Sequence, residues 1–197
     1  HLFIHKDAIA DLTELRRQEL KAAARIAALM EELKGDPDLL DRLTQHDYGA
    51  HQSADFHVSK WQAQWRQGHD LWRLKIWDLE DQGLRYRVVY AFMPQKQHYH
   101  ILAIAPREFD YDSNHPISRR ILRAYTRFER TFGQPGVAVG TTTPTRCPVF
   151  VFEDYTTPPP PAPARHQTIE QLMSEWEQDE EWHAAMAEAR YWIADQF

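Results

Sequence analysis

The sequence predicts an α+β fold: a helical hairpin packed on a small antiparallel sheet, with a proline-linked helical extension towards the C-terminal end. Three observations carry this. Apolar residues recur at helical spacing through 7–34, alternation begins at Leu71 and runs through two segments that a third, more apolar one follows after a short turn, and a PPPPAP stretch at 158–163 precedes an acidic amphipathic segment. With 197 residues, 43% hydrophobic and 12% aromatic, the chain suits one good core plus an appendage. The expected division is 1–132, a Gly/Thr/Pro-rich linker 133–166 with a short strand at 148–155, and 167–197.

The elements follow in order. Leu2, Phe3 and Ile4 suit an edge or parallel strand. Asp7 is of the type that caps a helix, and Ile9, Leu12 and Leu15 begin a stripe that Leu20, Ala23, Ala24, Ala27 and Met30 continue. Pro37 ends it by pushing Asp36 out of helical geometry. Local signals leave 7–34 open as one helix or two. A short helix through Leu39, Leu40 and Leu43 follows, and 48–56 reads as loop.

From Leu71, Trp72, Leu74 and Ile76 fall on one face and Arg73, Lys75 and Trp77 on the other. Asp81-Gln82-Gly83 turns the chain. Tyr86, Val88, Tyr90 and Phe92 then alternate with Arg85, Arg87, Val89 and Ala91, and a turn at 94–96 leads into a third strand over 99–105. If the N-terminal helices cover the apolar face, Arg73, Lys75, Arg85 and Arg87 share the other. Pro116 suits the first turn of a helix with an apolar side of Ile117, Ile121, Leu122, Tyr125 and Phe128. Beyond the linker, Thr168 with Gln171 forms a capping box, and Asp179 can cap a second helix.

Composition excludes several chemistries as starting points. Cys147 is the single cysteine, and CxxC, HExxH and glycine-rich phosphate motifs are missing, so no cofactor and no metal are expected. His98, His100, His115 and Asp112 could converge on a metal, but no ligand spacing compels it. No apolar run reaches the roughly 20 residues of a membrane helix, no secretory apolar region is visible, and the expected setting is cytoplasmic. Charge is uneven: residues 1–130 hold 20 basic against 19 acidic side chains, residues 131–197 hold 3 against 10. A basic half joined to an acidic tail suggests an anionic partner and masking by the tail; ordinary fluctuation of surface charge is the plainer alternative.

Cations interleaved with an aromatic suit a phosphodiester backbone with bases stacked nearby, so Arg85, Trp77 and Lys60 are candidate RNA-binding residues. A solvated sheet face is the alternative. The loop after the third strand delivers Arg107, Tyr111, Asp112 and His115 to one end of the sheet. Arginine can stabilise charge on a phosphorane, and Tyr or His can exchange a proton with an attacking or leaving oxygen. His115 could equally cap the following helix.

The stretches LWRLKIWDLEDQGLRYRVVYAF, HYHILAIAPREFDY and HPISRRILRAY, behind a helical N-terminal part, resemble the RelE/ParE/HigB toxin superfamily, in its RelE-type branch, over roughly residues 1–130. The resemblance implies two helices within 7–34, a cytoplasmic bacterial setting, and a type II toxin acting as a metal-independent, ribosome-associated mRNA endonuclease. In such enzymes a ribose 2′-OH attacks the neighbouring phosphate. By position, Arg73 and Lys75 match the basic strand pair, Lys75 as base or charge stabiliser. Arg87 matches the phosphate-holding arginine, and Arg107 the arginine ending the last strand. Tyr111 is the candidate C-terminal tyrosine, but it follows the arginine more closely than in the family, and His115 is the alternative proton donor. A ParE-like, non-catalytic toxin that binds DNA gyrase is the second reading, and an inactive, self-neutralised fusion the third. The segment TIEQLMSEWEQDEEWHAAMAEARYWIADQF resembles the start of an Xre/HigA-type antitoxin without its DNA-binding domain. The implied partners are ribosome and mRNA, an antitoxin in trans or residues 148–197 in cis, and a second copy; no membrane partner is expected.

Overall fold

Short-range signals set the first strand and the helices after it. The computed structural model describes residues 1–109, 112, 114–132 and 169–194. Strand β1 (Leu2–Ile4) leads into α1 (Lys6–Gln18), which is capped by His5 rather than Asp7: the His5 ring Nδ1 accepts from the Asp7 N–H at 3.3 Å. Asp7 sits in the first turn, where its charge suits the positive end of the helix. Glu19, at φ −143° and ψ 78°, splits the long stripe into α1 and α2 (Leu20–Gly35). Asp36 then caps α3 (Pro37–Asp41), its Oδ1 accepting from the Asp38 and Leu39 N–H groups.

The fold class is α+β. Five strands form one sheet in the order β1-β5-β4-β3-β2, with β2 (Phe56–Lys60), β3 (Leu71–Ile76), β4 (Tyr86–Met93) and β5 (His98–Pro106). Short helices α4 (Gln62–Trp65) and α5 (Trp77–Asp81) join β2 to β3 and β3 to β4. The meander β3-β4-β5 is antiparallel as expected, but the sheet is mixed, because β1 runs parallel to β5. Strand β2 begins at Phe56, where the expected loop over 48–56 ends. Only Phe56 and Val58 turn inward, an alternation too short to stand out. Trp77 opens α5 instead of extending β3.

Each sheet face is covered differently. On the first face Val58, Trp72, Leu74, Ile76, Val88 and Tyr90 join α1 and α2 in one core. The small side chains of Ala22, Ala23, Ala24, Ala27 and Ala28 let α2 approach its neighbours closely. Outside α2 lie α7 (Ile169–Trp176) and α8 (Glu180–Ala194), which bury Leu172, Met173, Trp176, Trp182 and Met186 in the same core. Asp179 caps α8 and pairs with Arg16, whose guanidinium lies 4.7 Å from the Trp176 ring centre. Lys34 pairs with Glu170 and Lys21 with Glu188. The capping partner Thr168 and the strand expected at 148–155 lie outside the described residues.

The second face is only partly covered. Helix α6 (Pro116–Phe132) sets Ile121, Ala124 and Tyr125 over Val89, Ala91, Leu102, Ala103 and Ala105. Asp11 ties this layer to α1: it receives both terminal nitrogens of Arg120 (2.9 and 2.6 Å) and the Ile104 N–H at 3.0 Å, beyond the end of β1. That carboxylate takes a strand-edge donor that β1 is too short to reach. Among the described residues no helix is long and apolar enough to cross a membrane.

Candidate functional site

The part of the second face that α6 leaves open carries the cations. Side-chain alternation on β3 puts Arg73 and Lys75 on this face, opposite Ser59 and His57 of β2. On β4, Arg87 takes the same face, opposite Ala105 of β5. The register of β3 against β4, read one pair beyond Leu74 and Val88, sets Lys75 beside Arg87. Arg107 follows β5 and donates its backbone N–H to the Arg85 carbonyl at 2.7 Å. Lys75, Arg87 and Arg107 are therefore gathered at one end of the sheet, with Arg73 one step further along β3.

A carboxylate stands among them. Glu80, near the end of α5, bonds through Oε1 to Arg87 Nη1, and its Oε2 lies 3.7 Å from Arg107 Nη1. Arg87 also donates to the Tyr86 carbonyl at 2.8 Å, so this buried guanidinium is held from two sides. Lys75 Nζ sits 3.4 Å from the Trp77 ring centre. Burial, then the positive charges of Arg87 and Arg107, lower the Lys75 pKa against the opposing pull of Glu80. A lysine so placed gives up its proton more readily than one in water.

His57 completes this corner. Its ring stacks on Trp77 at 5.9 Å and approaches Asp47 Oδ1 at 3.3 Å, and burial lowers its pKa. Neither His57 nor Glu80 is singled out by pattern. His57 belongs to the unexpected strand, and Glu80 to a one-turn helix just ahead of the expected turn at 81–83.

The remaining candidates are placed as follows. Lys60 lies on the opposite sheet face, as the register partner of Trp72, with Nζ 3.9 Å from the Trp65 ring centre. Trp65 and Trp72 pack edge to face there at 5.1 Å, and Trp61 is buried on the α6 side. Arg85 is exposed just before β4. His115 caps α6, its Nδ1 accepting from the Ile117 N–H at 3.2 Å, with its ring 5.8 Å from Phe109. Tyr111 lies outside the described residues. His98 and His100 stand at the start of β5 with Phe3, at the opposite end of the strand from Phe109 and His115. Among the described residues no group of three or more His, Cys, Asp or Glu is arranged to hold a metal.

The acidic helices are on the other side of the molecule. Glu170, Asp179 and Glu188 answer Lys34, Arg16 and Lys21 of the helical layer, so α7 and α8 do not lie over Lys75, Arg87 and Arg107. In comparisons with known proteins, no family model, no curated protein and no solved structure matches the chain.

Proposed function

We propose that the protein is a RelE-type toxin of a bacterial type II toxin–antitoxin system, a ribosome-associated mRNA endonuclease that needs no metal. The observation that carries this reading is the gathering of Lys75, Arg87 and Arg107 at the end of the sheet face that α6 leaves open, beside an aromatic ring. The succession of one strand, two helices, an antiparallel meander and a closing helix supports it at the level of architecture.

In this reading the phosphodiester sits against Arg87 and Arg107, which balance the charge that builds on phosphorus. The ribose 2′-oxygen bonds to phosphorus, the P–O5′ bond breaks, and a cyclic phosphate and a 5′-hydroxyl result. Lys75, with its lowered pKa, takes the 2′-OH proton or steadies the attacking oxygen. The leaving oxygen takes a proton from Tyr111 or His115. Partners are the ribosome, mRNA and an antitoxin in trans.

The test uses the full chain, because α7 and α8 belong to the core. It is added to a translating extract and mRNA 5′ ends are mapped. Codon-phased breaks, lost in folded Arg87→Ala and Arg107→Ala variants, are expected. Intact mRNA together with inhibited supercoiling by gyrase would replace this reading with the ParE-like one.

A further inference from the structure

Glu80 sits where the substrate should sit. Its two oxygens divide between two guanidiniums, Oε1 on Arg87 and Oε2 at 3.7 Å from Arg107, in the manner of the paired anionic oxygens of a phosphodiester. The side chains of Glu80 and Arg87 are 14% and 9% exposed, whereas Arg107 is 54% exposed, so the arrangement opens to solvent on the Arg107 side. Lys75 is close enough that Glu80 and the two arginines act on its charge with opposite sign.

The element carrying Glu80 is anchored by residues other than Glu80: Trp77 donates to the Gly49 carbonyl, Asp78 faces Arg25 at 3.5 Å and Gln52 donates to Asp81. Helix α5 has five residues, its one buried side chain is Leu79, and it ends next to Gly83 at φ +79°. Rotation of the Glu80 side chain would leave the helix and its anchor in place.

Taking the substrate to be RNA, as in the reading above, we propose that Glu80 is a built-in occupant of the phosphate seat. In the free protein its carboxylate holds Arg87 and Arg107 in position, and an incoming phosphodiester of single-stranded RNA displaces it. Displacement costs binding energy, so isolated RNA binds weakly. A strand held by additional contacts, as on a ribosome, meets that cost from elsewhere.

The experiment titrates the full chain into a labelled 12-nucleotide oligouridylate and follows fluorescence anisotropy at constant salt. Glu80→Gln removes the charge while keeping an oxygen for Arg87, and is expected to tighten binding about tenfold, near 1.4 kcal/mol. Glu80→Asp draws the carboxylate back by one methylene at unchanged net charge, and is expected to tighten it severalfold. Asp81→Asn, on the same helix but paired with Gln52, makes the same charge change outside the seat and is expected to shift affinity less than about twofold. Far-UV circular dichroism and melting establish that each variant is folded. Unchanged or weaker binding in folded Glu80→Gln and Glu80→Asp, or equal tightening by Asp81→Asn, overturns the proposal. Cleavage in the extract without tightening by Glu80→Gln removes only the role of Glu80. Tightening without cleavage removes the nuclease and leaves an RNA-backbone seat.

Discussion

His100 shows how one buried group ties stability to pH. It is packed against Phe3 at 5.1 Å and Phe128 at 4.5 Å, with His98 6.0 Å away. Burial, then the charges of His98, His5 and the N-terminal amine, bring its pKa down from 6.5 to about 4. The unfolded chain therefore binds this proton at a higher pH than the folded one. The contribution is fully present above pH 6.5 and is lost as the pH falls towards 4. His98, lowered for the same main reason, adds a loss of the same sign. Urea unfolding between pH 4 and 7 should show stability rising with pH in the native chain. His100→Phe, which keeps the ring packing, should flatten that rise; an unchanged slope would place its origin elsewhere.

At the scale of elements, Gly49 is where β2 and the candidate site meet. It adopts φ +68°, and a Cβ there would stand 1.8 Å from the Phe56 carbonyl oxygen. Its own carbonyl accepts the Trp77 indole N–H at 2.8 Å, and Trp77 in turn carries Lys75. Gly49→Ala should cost about 2 kcal/mol or more, because left-handed strain adds to a backbone clash. In the folded fraction, RNA binding should weaken as well, since Lys75 loses its aromatic support. Equilibrium unfolding and anisotropy on the same sample check both effects.

These elements also mark how far the sequence could be read. The facing of Arg73, Lys75 and Arg87 was legible because a strand alternates with period two, and the cover of the opposite face by α1 and α2 followed from its apolar set. The break at Glu19 was not, since its neighbours keep helical spacing on both sides and nothing local forbids continuity. Strand β2 was hidden because two inward residues make no pattern, and with it His57 was hidden. Glu80 was hidden for a different reason. Residues 77–81 alternate no further than a turn would, and only the curl of α5 brings the carboxylate back to Arg87.

For the molecule as a whole, α7 and α8 are integral. Trp182 is buried between Trp176, at 4.8 Å, and the Arg16 guanidinium, at 5.5 Å. Trp182→Ala should cost about 3–5 kcal/mol, and far-UV and fluorescence signals should still lose structure in one shared transition. A separate early loss of helix would mean that α7 and α8 melt independently of the sheet. The small residues of α2 explain the expectation of one unit, since they let α8 pack closely against α2.

That docking has a consequence in time. The strands and helices that surround Arg87 are complete at Phe132, whereas α8, which packs on α2, is complete only at Ala194, 62 residues of synthesis later. At about 5–20 residues per second, a nascent chain spends roughly 3–12 s with its cationic sheet end finished and the alanine face of α2 still bare. During that interval the chain is short of its stabilising outer layer, and the uncovered helix is a natural landing place for a chaperone.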